Sequence, residues 1–113
     1  MFDERLPTKV WVDALIRRAQ LAGASAFVLQ RGDEARGDTL VKVSDLRGQA
    51  QIYVPRTSVE GTRVFVNLTH ETVSSDERDA DAYVRRAGDR DRDLWIIEIE
   101  DRDARHFLTE RVE

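Results

Sequence analysis

Few side chains in this sequence have types and spacing suited to chemistry, and the densest group lies near its end. Glu98, Glu100, Asp101, Asp103 and His106 fall within nine positions. Glu98 and Glu100 alternate in an extended run, so their carboxylates share one strand face, where two hard oxygen donors can approach one divalent cation. With His106 beside them, the group would suit a small metal-dependent hydrolase. No paired-histidine motif supports that reading, and Arg102 and Arg105 are interleaved to neutralise the acids. The plainer reading, a solvated strand end with surface ion pairs, is preferred. No catalytic or metal-ligating residue is assigned, and no cofactor is expected.

Arg18 is the most informative single residue. It falls inside an apolar helical sector formed by Trp11, Ala14 and Leu21. A guanidinium there needs a carboxylate or a ligand anion, because a buried unpaired charge is too costly to keep. Glu98 is the expected partner. The alternatives are a snorkelling arginine, an anion pocket or an intersubunit salt bridge.

The only lysines are Lys9 and Lys42. Neither follows an acidic residue by two positions, as the E-x-K element of restriction-endonuclease-like nucleases requires. Glycine-rich phosphate loops, GxSxG and HExxH are absent as well. One further surface is suggested by alternation. The outward face of three consecutive strands would carry Lys42, Gln51, Tyr53, Arg63 and Phe65. Aromatic and basic groups interleaved in this way can stack and clamp single-stranded nucleic acid. Tyr53 and Phe65 can equally serve as the apolar platform for a helix.

These residues depend on elements that the pattern outlines. Thr8 to Ala22 reads as a helix, with Pro7 at its start and Gly23 as its stop. Lys9, Asp13, Arg17 and Gln20 make a narrow polar sector, and nearly everything else is apolar. Val12, Ile16 and Ala19, opposite the Ala14–Arg18 side, then need a second cover and form a candidate interface with another subunit.

Four strands are expected next: 25–31, 39–44, 49–54 ending at Pro55, and 62–68. Ser74 and Glu77 have capping-box spacing for a helix from about 75 to 87, with Gly88 as its stop. Leu94 to Glu100 is the clearest strand, apolar on both faces at its start and so expected in the sheet interior. The order α-β-β-β-β-α-β contains at most two helical crossovers. It predicts an α+β fold with a mixed, mainly antiparallel sheet of about five strands and two helices.

The chain has 113 residues, enough for one domain over 1–113. Its hydrophobic fraction of 41% supports a core without metal or disulfide, and the absence of cysteine removes thiol chemistry. The net charge of −4 argues against broad attraction to nucleic acid or anionic membrane. The charged start Met1–Arg5 carries no apolar run of the secretory kind, so the cytoplasm is the expected compartment.

Several segments together resemble a family of short bacterial proteins classed only as a domain of unknown function. They are Arg5-Leu6-Pro7, Trp11-Val12-x-Ala14-Leu15-x-Arg17-Arg18, Leu40-Val41-Lys42-Val43 and Asp93-Leu94-Trp95-Ile96-Ile97-Glu98-Ile99-Glu100-Asp101-Arg102. The resemblance covers nearly the whole chain. It implies a single-domain protein, supplies no activity and carries over no catalytic residue. The leading expectation is a non-enzymatic protein-interaction module, a homo-oligomer or the binder of a protein partner. The alternatives are a single-stranded nucleic-acid-binding module and the metal-dependent hydrolase.

Overall fold

Pro7 and Gly23 bound the first helix as their chemistry dictates. The computed structural model describes residues 6–113. The charged start, Met1–Arg5, and with it the arginine of the Arg-Leu-Pro segment, lies outside the described residues. α1 spans Thr8–Leu21, with Pro7 at its N-cap and Gly23 in the left-handed conformation just beyond its end. Lys9 and Asp13, one turn apart, form an exposed ion pair at 2.8 Å.

The strands are β1 (Ser25–Gln30), β2 (Thr39–Ser44), β3 (Ala50–Thr57), β4 (Arg63–Asn67) and β5 (Trp95–Glu100). A single 3-10 turn follows β4, and α2 spans Glu77–Arg90. The sheet runs in the order β1-β5-β2-β3-β4. β5 is thus interior, as its two-sided apolar run requires. β2 and β5 pair in parallel, whereas β1–β5, β2–β3 and β3–β4 are antiparallel.

A helix covers each face. Val12, Leu15 and Ala19 of α1 pack on Val41, Val43, Tyr53, Phe65 and Ile97. Ala80, Val84 and Ala87 of α2 pack on Leu40, Ala50, Ile52 and Ile96. Every residue of β2 is buried in consequence. The expected outward face of that strand therefore does not exist.

The C-terminal segment 101–113 forms a strap on the α1 face. Trp11 donates from Nε1 to Glu110 at 2.7 Å, Arg18 donates from Nε to the Phe107 carbonyl at 3.0 Å, and His106 meets Tyr53 edge-on. The strap ends beside β4: Phe65 donates its N–H to the Arg111 carbonyl, and its own carbonyl accepts from the Glu113 N–H. Phe65 thus turns its backbone groups away from β3. Pro55 opposite it in register needs no donor on that side, so β3 runs through Pro55 to Thr57 instead of ending there.

Two expectations about α2 also shift. Asp76 is the N-cap, its carboxylate accepting from the Arg78 N–H. Gly88 lies inside the helix. A Cβ there would stand 2.7 Å from Gln30 Oε1 and 3.0 Å from Ile96 Cδ1, so this glycine lets helix and sheet approach closely.

Candidate functional site

Lys42 sits in a strand whose other residues are buried, so its long side chain must find charges under α2. It does. In the parallel register Lys42 faces Glu98 of β5, and its ammonium lies 3.2 Å from that carboxylate. Glu77 and Asp81, one turn apart on α2, approach to 2.8 and 2.6 Å. The Ser44 hydroxyl donates to the other oxygen of Glu77 at 3.1 Å. The Lys42 side chain is 3% exposed.

Burial alone would lower the ammonium pKa. The hydrogen bonds to Asp81 and Glu77 and the charge of Glu98 outweigh it and hold the pKa above its ordinary value. Burial pushes the Glu98 carboxyl up, against the pull of Lys42, with Glu100 and Glu77 adding like-charge repulsion. A lysine held so firmly protonated is neither nucleophile nor base. The cluster's chemistry is charge pairing that fixes α2 on β2 and β5.

Sequence reasoning missed this cluster. Its signal was present: Glu77 and Asp81 share the helical stripe of Ala80, Val84 and Ala87, and Lys42 is the one charged residue of its strand, flanked by Val41 and Val43. Glu77 was read as a capping residue, and its carboxylate is committed to Lys42 and Ser44 instead.

The other candidates are placed as follows. Arg18 and Glu98 lie on opposite faces of the sheet, because Glu98 points toward α2 while Arg18 belongs to α1. Arg18 meets the strap instead, and its buried Nη2 has no hydrogen-bond partner among the described residues. Lys42 is likewise separated from Tyr53, Arg63 and Phe65. It pairs in register with Ile52 and shares that residue's face, whereas Val41 pairs with Tyr53 on the α1 face. Tyr53 and Phe65 are core residues beneath α1 and the strap, and Arg63 lies over the Phe65 ring at 5.8 Å. The four do not form one open surface.

Val12 and Ala19 are buried against the chain's own sheet, and Ile16 packs at the edge of the same core. The cover of Val12 and Ala19 comes from the chain's own sheet, so these two are closed to an external interface, while Ile16 stays partly exposed.

The acidic group near the end is also dispersed. Asp101 chelates Arg105, which holds the Asp101 carboxyl down at about 2. His106 turns to the α1 face, where its Nδ1 accepts from the Leu108 N–H. Among the described residues no cluster of three His, Asp or Glu side chains is arranged to hold a metal ion.

One surface stands out that pattern reading passed over. β1 is an end strand, and its Phe27, Val28 and Leu29 are 41%, 38% and 49% exposed. Among the described residues no backbone group outside β5 pairs with this strand. Only the Gln20 side-chain amide reaches it, at 3.5 Å from the Ala26 carbonyl. The opposite edge, at β4, is closed at Phe65 by the strap. The sequence signal was a run from Leu21 to Gln30 without a charged residue.

A five-stranded mixed sheet with a helix on each face, pinned by a buried lysine and closed on one edge by its own C-terminal strap, defines a small α+β domain. The chain belongs to the DUF1491 family, described as a protein of unknown function, whose profile matches residues 6–109. A crystal structure of a DUF1491 family protein from Caulobacter crescentus CB15 is 48% identical, with a TM-score of 0.89, covering 96% of this chain and 100% of that one. An NMR structure of a DUF1491 family protein from the same organism gives 49% identity and a TM-score of 0.84, with 96% of each chain covered. The solution structure of protein Atu0922 from A. tumefaciens is 28% identical, with a TM-score of 0.75, covering 96% of this chain and 97% of that one. A search of curated proteins returned no match. Among the described residues no helix is long and apolar enough to cross a membrane.

Proposed function

We propose that this chain is a non-enzymatic interaction module that pairs with a second copy of itself through the open edge of β1. The observation that carries the reading is the exposed, uncharged apolar edge at Phe27, Val28 and Leu29. A free edge presents a row of backbone donors and acceptors, a ready template for another strand. Natural edges are commonly blunted by charge or proline, and this one has neither. In an antiparallel pair about a two-fold axis, the residue on the axis lies opposite its own copy and its neighbours on either side face one another, so an edge charged with one sign would repel itself. The charge-free run 21–30 removes that repulsion. The irregularity in register between Val28 and Gln30 confines regular pairing to the first part of the strand.

The test is light scattering coupled to size exclusion, from low to high micromolar protein, on the native chain and on Val28→Glu. Val28 is outside the buried core, so the variant should keep the native circular dichroism spectrum. The native chain is expected as a dimer and the variant as a monomer. A native chain that stays monomeric throughout, or a dimer indifferent to Val28→Glu, overturns the reading.

A further inference from the structure

The hydrogen bonds of β5 decide which backbone groups of β1 face outward. Trp95 donates its N–H to the Asp38 carbonyl, and Asp101 donates its own to the Ser44 carbonyl. Successive residues of a strand turn their N–H and C=O to alternate sides, so Trp95, Ile97 and Ile99 turn theirs toward β2. Ile96, Glu98 and Glu100 then turn theirs toward β1. Glu98 stands opposite Phe27, and Glu100 opposite Ser25. Ser25 and Phe27 therefore bond to β5, and Ala26 and Val28 present their N–H and C=O to the free side. The Ala26 carbonyl is accordingly the one that the Gln20 side-chain amide reaches, at 3.5 Å.

This outward pair is bracketed. Before it, Ala24 gives its N–H to the Ala19 carbonyl at the end of α1. After it, the register slips, and Gln30 stands opposite Ile96, whose backbone groups point to β1. Gln30 therefore turns inward, and the outward alternation stops at Val28.

We propose that two copies join in one register only, with the two-fold axis between Phe27 and its own copy. This rests on the self-pairing reading above and fixes its geometry. Ala26 then stands opposite the partner's Val28, and Val28 opposite the partner's Ala26, so every outward N–H and C=O of these residues is paired. An axis at Ala26 sets Val28 opposite Ala24, whose N–H is already given, and leaves the Val28 carbonyl unanswered. An axis at Val28 sets Ala26 opposite the inward-turned Gln30 and leaves both of its groups unpaired. A backbone group removed from water without a partner costs as much as a lost hydrogen bond, which disfavours both alternatives.

The side chains fit the same register. Phe27 shares the α2 face with Glu98, and the two Phe27 rings meet as a non-hydrogen-bonded pair, the closer antiparallel spacing at about 4.5 Å between Cα atoms. On the α1 face the small Ala26 lies opposite the larger Val28. The two sheets become one, with both copies of α1 on one face and both copies of α2 on the other.

The chain has no cysteine, so introduced cysteines report the register directly. Phe27→Cys, Ala26→Cys and Val28→Cys are each checked by circular dichroism, sized by light scattering under reducing conditions, and then mildly oxidised. A disulfide needs Cα atoms within about 7 Å. Phe27→Cys is expected to give a covalent dimer. Ala26→Cys and Val28→Cys alone should not, because each stands two residues along the strand from its own copy, beyond that reach. An equal mixture of these two should bridge position 26 of one chain to position 28 of the other. That mixture keeps Phe27 in place, so the register is tested even where Phe27→Cys weakens the dimer. A native chain that dimerises while Ala26→Cys or Val28→Cys bridges alone overturns the register and leaves the edge reading standing. A dimer in which neither Phe27→Cys nor the mixture bridges does the same. A native chain that stays monomeric overturns the edge reading and the register with it.

Discussion

Lys42 and Glu98 stand opposite each other on the parallel strands β2 and β5, their charged ends 3.2 Å apart beneath α2. With Glu77 and Asp81 they place one ammonium among three carboxylates. Lys42→Met keeps the length of the side chain and strands those carboxylates. Breaking a buried ion pair typically costs about 3–5 kcal/mol, and Glu77 and Asp81 are partly exposed, so a loss of about 2–3 kcal/mol is expected. The loss should shrink on acidification, because the Glu98 pKa already lies above its ordinary value and protonation removes the repulsion. Urea unfolding at neutral and acid pH measures both effects.

His106 gives the fold a dependence on pH. Burial lowers its pKa below the ordinary 6.5, so the unfolded chain binds the proton more readily than the folded one. Its contribution is intact above 6.5 and is lost as pH falls from there through the folded value. Protonation also ends the acceptance of the Leu108 N–H by Nδ1. Melting temperatures across this range should fall with pH in the native chain, and the slope should be reduced in His106→Gln.

Arg18→Leu should cost little. The guanidinium makes one hydrogen bond, to the Phe107 carbonyl, and buries Nη2 without a partner among the described residues. Replacing it removes a net contribution of about 1 kcal/mol and relieves a desolvation penalty of similar size. Chemical denaturation should show a change within about 1 kcal/mol in either direction. A loss several times larger would mean that Arg18 is paired.

Gly88→Ala reverses the usual helix rule. Alanine in a helix interior is worth about 1 kcal/mol over glycine. Here the new methyl meets Gln30 Oε1 and Ile96 Cδ1. Gln30 is not free to yield, since its Nε2 donates to the carbonyls of Asp91 and Leu94. A net destabilisation of about 1 kcal/mol is expected in thermal or urea unfolding.

Local chemistry made much of this fold legible. Pro7 and Gly23 marked α1, alternation located β2 and the first part of β3, and the two-sided apolar run of β5 announced an interior strand. Alternation says which residues share a face, but not whether that face is covered. Lys42 was therefore placed outward with Tyr53, when the register with β3 sets it beside Ile52. The same gap moved Val12 and Ala19 from an expected interface into the core. Their cover is the sheet, together with a strap that returns from residues about ninety positions later. Gly88 was misread because its reason is contact with Gln30 and Ile96, which no helical pattern encodes.

The strand order also governs how the molecule can be made. β5 separates β1 from β2, yet it is the last strand in the chain. While Trp95–Glu100 remain inside the ribosome, β1 has no neighbour to join, and α1 lacks much of the floor on which it rests. A nascent chain can assemble β2, β3 and β4 as a hairpin array, but the first thirty or so residues must wait. Closure then comes as a late insertion of β5 between two strands already synthesised, a non-local step of the slow kind. Chains terminated before Trp95 should consequently expose α1 and β1 together and be prime substrates for chaperones and proteases.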